Sequence, residues 1–266
     1  MTQHRGQASS EGASSPGDPA TTRASGSPRA LVTGASSGIG WAVAERLAAA
    51  GWTVTCLARR GSSPPGTTAI AGDAAEPDDL RRALEVTVGA DGELHGLVCA
   101  AGSPPSGPWD DPGHWTATLR LDLTAPYQAC RMAWPALVAG AGSVVLVGSI
   151  LGADEGSARS PAYAAAKAGL EGLARSLAVL GGEDSVRVNV VAPGAIDTPF
   201  DLPAFAPDSR PDVPLGRMGT ADEVAAVIEM LLGAGSAYVT GAVWRVDGGR
   251  SVLSAVDAAR RGADRP

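Results

Sequence analysis

Metal-binding and disulfide chemistry have little to work with in this chain. Its 266 residues include three histidines and three cysteines. His4, His95 and His114 are scattered, with no metal-ligand spacing among them. Cys56, Cys99 and Cys130 are odd in number, form no CxxC pair and each sit in an apolar run, so buried reduced thiols are expected. No apolar stretch approaches the ~18 residues of a membrane span. The N-terminus lacks the apolar core of a secretory signal. A cytoplasmic protein with no membrane partner is the expectation. Basic charge is also in deficit: the formal net charge of −7 disfavours a nucleic-acid partner, which needs a basic face.

Residues 1–28 are short of large apolar side chains and rich in Ser, Gly, Ala, Thr and Pro. Such a segment cannot bury enough surface to offset its ordering entropy, so a disordered tail is expected there. From residue 29 to 266 the pattern fits a single domain. Short apolar runs, at Ala30–Val32, Thr53–Leu57, Thr68–Ile70, Leu97–Cys99, Ser143–Val147, Val186–Val191 and Ala242–Val246, read as strands. Helical patterns separate them at Trp41–Ala50, Pro77–Val88, Trp115–Val138, Ala162–Leu180 and Ala221–Leu232. Continuous apolar strands alternating with helices predict an α/β domain with a doubly wound, Rossmann-type parallel sheet of about seven strands. Residues 199–219 interrupt this rhythm and read as an irregular lid. Leu202, Phe205 and Val213 give that segment a partly apolar character.

Thr33-Gly34-Ala35-Ser36-Ser37-Gly38-Ile39-Gly40 joins the first strand to the first helix. Gly34 permits a tight turn, Gly38 permits close backbone approach, and Gly40 lets the helix pack on the sheet. The N–H groups of this turn, with Ser36, Ser37 and Ile39 between the glycines, attract a pyrophosphate. Strand two ends in Ala58-Arg59-Arg60, where NAD enzymes commonly place an acid for the ribose hydroxyls. A guanidinium pairs instead with a 2′-phosphate, so Arg59 and Arg60 point to NADP(H). Solvated loop arginines are the bland alternative. Further along, Tyr163 and Lys167 are four apart on a helix and share a face. An ammonium beside a phenol favours the phenolate and suits it to acid/base work.

The TGxxxGxG spacing resembles the short-chain dehydrogenase/reductase family. The resemblance recurs at Ala100-Ala101-Gly102, Ser149, Tyr163-Ala164-Ala165-Ala166-Lys167, Asn189–Gly194 and Asp247-Gly248-Gly249, and so spans residues 30–250. It implies an oxidoreductase that interconverts a ketone or aldehyde and an alcohol on a small molecule. By resemblance Ser149 binds the substrate oxygen, Tyr163 transfers the proton and Lys167 bonds the nicotinamide ribose. Asp73 resembles an adenine ligand, with a helix cap as its plain alternative. Pro193, Gly194, Ile196 and Thr198 resemble the turn that flanks the nicotinamide. The family habit of pairing long helices and the last strand implies a homotetramer, with Trp244 as an interface aromatic.

The sequence also departs from the pattern. Asp122, in Leu121-Asp122-Leu123-Thr124, stands where the family usually has an Asn that reaches the lysine through a water. Its added negative charge would oppose the effect of Lys167 on Tyr163. The stretch from Arg60 to Ile70 is too short for the usual helix and is expected to be a bare loop. Reductases of 3-oxoacyl carrier-protein thioesters are close in pattern around Pro214–Gly219, yet Pro135 and Val179 stand where their carrier-docking arginines would. A free small-molecule substrate is therefore the leading expectation, with a carrier-linked substrate as the alternative. A cofactor-sensing protein without catalysis is a third reading, opposed by the intact Ser149, Tyr163 and Lys167.

Overall fold

The computed structural model describes residues 26–104, 107–199, 212–254 and 257. Most of the expected tail, and residues 200–211 of the expected lid with Leu202 and Phe205, lie outside the described residues. The elements run β1 (Arg29–Thr33), α1 (Gly38–Ala49), β2 (Thr53–Ala58), β3 (Thr68–Ala71), α2 (Pro77–Val88), β4 (Gly96–Cys99), α3 (Pro112–Leu119), a π turn (Arg120–Thr124) and α4 (Ala125–Ala139). They continue through β5 (Ser143–Val147), a distorted single turn α5 (Ile150–Ala153), α6 (Pro161–Leu180), β6 (Arg187–Pro193), β7 (Ile196–Asp197), β8 (Gly219–Thr220), α7 (Ala221–Leu232) and β9 (Val243–Val246). The expected bare loop is present between β2 and β3.

One parallel seven-stranded sheet organises the domain, in the order β3-β2-β1-β4-β5-β6-β9. Side chains alternate across it. Leu31, Leu97, Val144 and Leu146 pack against Leu80 and Leu84 of α2, Leu137 of α4 and Leu170 of α6. Ala30, Val32, Val98 and Val145 face the other way, onto Val43 and Leu47 of α1 and Ile228 and Leu231 of α7. This period of two buries both faces and accounts for the largely apolar central strands. Consecutive strands wind outward from β1 in one direction, and from β4 in the other, so a crevice opens between the carboxyl ends of β1 and β4.

Two local features position what lies in that crevice. The helical stretch expected from Trp115 to Val138 is not one continuous α-helix, because the π turn separates α3 from α4. Pro126 has no N–H to give the carbonyl four residues back, at Asp122, so α-helical bonding fails there. The second feature is the small β7–β8 pair, which matches Ile196 with Gly219 and Asp197 with Thr220. A Cβ on Gly219 would lie 2.8 Å from Cδ1 of Ile196, so the glycine lets that side chain tuck in. Thr220 then starts α7 with a reciprocal cap shared with Glu223.

Candidate active site

A cleft of about 840 Å³ runs along the carboxyl ends of the strands. Every site residue expected from the sequence lines it except Asp122. Gly34, Ser36, Ser37, Gly38, Ile39 and Gly40 form its floor at one end. Gly34 has φ +72°, and a Cβ there would fall 2.6 Å from the backbone nitrogen of Ala101. Only glycine lets the turn after β1 sit so closely on Ala100-Ala101-Gly102 after β4. Ser37 is the N-cap of α1 but its hydroxyl caps nothing, and the first turn of α1 holds no acid. The open N–H groups and the positive end of the helix therefore face the cleft without a side-chain anion of their own.

Arg59 and Arg60 line the cleft beyond this floor, both exposed. Neither forms an ion pair with another described residue. Asp73 reaches the same corner, where its Oδ1 accepts a bond from Ala75 N at 2.9 Å. That bond closes a local turn rather than capping α2, whose N-cap is Glu76, and the residue still borders the cleft. Thr198 is buried and lies against the turn: a Cβ on Gly38 would be 3.5 Å from its methyl carbon. Pro193, Gly194 and Ile196 complete that wall.

Ser149, Tyr163 and Lys167 occupy the other end. Ser149 leaves β5 as an N-cap, its Oγ accepting from Leu151 N at 3.1 Å. Its own hydroxyl proton stays free to donate. Tyr163 and Lys167 are both buried on α6, with the Lys167 nitrogen 5.3 Å from the Tyr163 ring centroid. Lys167 Nζ donates to the Val147 carbonyl at 3.0 Å.

Asp122 corrects one expectation. No water separates it from the lysine: Lys167 Nζ lies 3.1 Å from Asp122 Oδ1, a direct ion pair with both groups buried. The π turn aims Asp122 inward, and Gly102 makes room, since a Cβ there would sit 2.8 Å from Oδ1. Burial pulls the Lys167 pKa down, yet the Asp122 carboxylate, with Tyr163, outweighs it and holds the ammonium above the ordinary lysine value.

Sequence reading missed several neighbours. Glu155, Asp212 and Arg250 line the cleft on the side of Tyr163. Arg250 donates to Glu155 Oε1 at 2.6 Å and to the Asp212 carbonyl at 2.8 Å. These residues lie far apart in the chain, and no local pattern joins them. Ser103, which bonds Asp122, directly follows Ala100-Ala101-Gly102, and that adjacency is its one signal in the sequence.

Comparison with known proteins agrees with this arrangement. Residues 34–251 match a family model described as enoyl-(acyl carrier protein) reductase. A cis-4-hydroxycyclohexanecarboxylate dehydrogenase from Sinomonas cyclohexanicum is 37% identical over 244 residues, covering 84% of this chain and 96% of the relative. A 3-oxoacyl-[acyl-carrier-protein] reductase from Pseudomonas aeruginosa is 35% identical over 241 residues, covering 83% and 96%. The ligand-free aldohexose dehydrogenase of Thermoplasma acidophilum superposes with a TM-score of 0.78 at 27% identity, covering 86% of this chain and 96% of that one. With the glycine turn, the parallel sheet and the matched relatives in agreement, this chain belongs to the short-chain dehydrogenase/reductase family, nicotinamide-linked oxidoreductases of carbonyl and alcohol substrates.

Proposed function

We propose that the chain is an NADP(H)-linked oxidoreductase that interconverts a ketone or aldehyde and an alcohol on a free small molecule, with Tyr163 as acid/base. One observation carries the reading: a single cleft joins a corner where β2 ends in Arg59 and Arg60 rather than in an acid to Tyr163 and Lys167. The residues fit the cofactor. The uncapped start of α1 and the glycine floor suit a pyrophosphate, and the guanidiniums, without an ion pair among the described residues, suit a 2′-phosphate. Asp73 would border the adenosine of a bound cofactor, and Ile196 and Thr198 would flank its nicotinamide half.

When bound, the cofactor supplies or removes a hydride. The chain handles the proton. Ser149 donates a hydrogen bond to the substrate oxygen and fixes it beside Tyr163. In reduction, Tyr163 gives its phenolic proton to that oxygen as negative charge develops there. In oxidation the phenolate takes the proton back. Lys167, anchored by Val147 and Asp122, favours the phenolate and has a third N–H for the cofactor ribose.

The substrate reading rests on the surface as well as the cleft. Pro135 and Val179 are both exposed, so neither of these places offers a cation to an acidic carrier. The Sinomonas relative is named for a small hydroxy acid and the Pseudomonas relative for a carrier-linked substrate, so both classes belong in the assay. Turnover with NADPH and NADH is measured on simple ketones and on a carrier-bound 3-oxoacyl thioester, for wild type and Arg59→Asp. NADPH and free ketones are expected to be preferred by the wild type. Arg59→Asp removes a charge-assisted pair worth about 1.5–3 kcal/mol and adds a repulsion. It should move the NADPH/NADH ratio at least roughly tenfold toward NADH. Equal use of both cofactors by the wild type, or turnover of the carrier substrate alone, would reject the corresponding part.

A homotetramer also forms part of this proposal. β9 is an edge of the sheet, Trp244 on it is 37% exposed, and Val179 and Leu180 at the end of α6 are exposed apolar groups. Light scattering at micromolar concentration should give four times the chain mass, and a stable monomer would contradict it.

A further inference from the structure

Asp122 has a second neighbour besides Lys167. The backbone N–H of Ser103 lies 3.2 Å from its Oδ2 and 3.3 Å from Oδ1. The Ser103 hydroxyl donates to Oδ2 as well. The carboxylate is thus divided, with Oδ1 on the lysine and Oδ2 on the serine. Asp122 is fully buried and pressed against Gly102, whereas Ser103 is half-buried at the edge of the turn.

This division has a consequence for charge. A buried carboxylate must satisfy both oxygens. With Oδ2 held by Ser103, only Oδ1 is committed to Lys167. Without the serine hydroxyl, Oδ2 loses a strong donor, and the nearest compensation is a closer, two-oxygen approach to the ammonium. Lys167 would then be more completely neutralised and drawn away from the Tyr163 ring.

We propose that Ser103 is a positioning residue of the reaction centre: by fixing Oδ2 of Asp122 it limits the hold of Asp122 on Lys167, and so sets the field that Lys167 exerts on Tyr163. The proposal rests on the reading of Tyr163 as acid/base.

The test is kcat/KM against pH for oxidation of one alcohol, in wild type, Ser103→Ala and Ser103→Thr. Ser103→Ala should move the rising limb to higher pH by about half a unit. The KM for the cofactor should rise with it, because the lysine is withdrawn from the cleft. Ser103→Thr keeps the hydroxyl and should restore the wild-type limb. In an Asp122→Asn background, Ser103→Ala should leave the limb where it is, since there is no carboxylate to restrain. A merely structural serine would lower stability alike in both backgrounds and move no limb. Should Ser103→Ala not fold, Ser103→Cys, of similar size but a weak donor, reports the same shift at smaller amplitude. An unmoved limb, or one displaced to lower pH, would overturn the proposal. Tyr163→Phe separates this from the parent reading. If that variant turns over with the wild-type limb, the limb is not that of Tyr163 and the acid/base assignment itself fails.

Discussion

A Tyr163→Phe enzyme is expected to bind its cofactor almost as the wild type does and to lose turnover by roughly 10²–10⁴-fold, the usual contribution of a positioned acid/base. The Tyr163 ring is buried on α6, so phenylalanine fills the same space and keeps the packing. Lys167 retains Val147 and Asp122 as partners, so the floor and walls of the cofactor cleft are undisturbed. What disappears, on the proposed reading, is the hydroxyl that exchanges a proton with the substrate oxygen, while the Ser149 hydroxyl stays. Cofactor titration together with single-turnover rates checks both halves. A variant that keeps a tenth or more of the wild-type rate would show that the proton travels by another route.

The second large effect concerns Asp122. A negative charge 3.1 Å from the ammonium stabilises Lys167 and partly cancels its field at Tyr163. Asp122→Asn removes that charge and keeps the size. The rising limb of oxidative kcat/KM should then move to lower pH, by about one unit for every 1.4 kcal/mol of lost electrostatic opposition. An unchanged limb, or one moved to higher pH, would refute the charge argument. Stability should change too. Removing one partner of a buried pair leaves an uncompensated charge, which costs about 3–5 kcal/mol. Asn, which still offers a carbonyl to the ammonium, should cost less than Asp122→Ala. The sign of the pH dependence follows from the lysine. Its folded pKa is raised, so its contribution is fully present below the ordinary lysine value and is lost as pH rises through the folded one. Across neutral pH the wild-type pair should therefore contribute a constant amount, and thermal unfolding between pH 6 and pH 9 reads that out.

Much of the fold was legible in the sequence for a simple reason. Strands buried on both faces must be apolar at nearly every position, and Val144–Val147 or Leu97–Cys99 cannot hide that. The glycine turn was equally plain, because Gly34 and Gly40 answer to contacts with backbone that no other residue tolerates. The direct Asp122–Lys167 bond was not legible. It depends on a π turn whose only local trace is Pro126, and on the missing side chain of Gly102, twenty residues upstream of Asp122 by sequence number. Glu155, Asp212 and Arg250 escaped for a related reason: their meeting is produced by the sheet order, which sets the ends of β5 and β9 on the two sides of β6.

The two ends of the cleft also differ in how they meet the surrounding electrolyte. Arg59 and Arg60 are exposed, and at about 0.1 M salt mobile ions screen such charges over roughly 10 Å. Lys167 and Asp122 are buried and ion-paired with each other, although Lys167 still borders the cleft. On the proposed reading, ionic strength therefore acts on the two ends unequally: added salt should weaken the grip of Arg59 and Arg60 on a cofactor phosphate, while Lys167 keeps its own internal counterion.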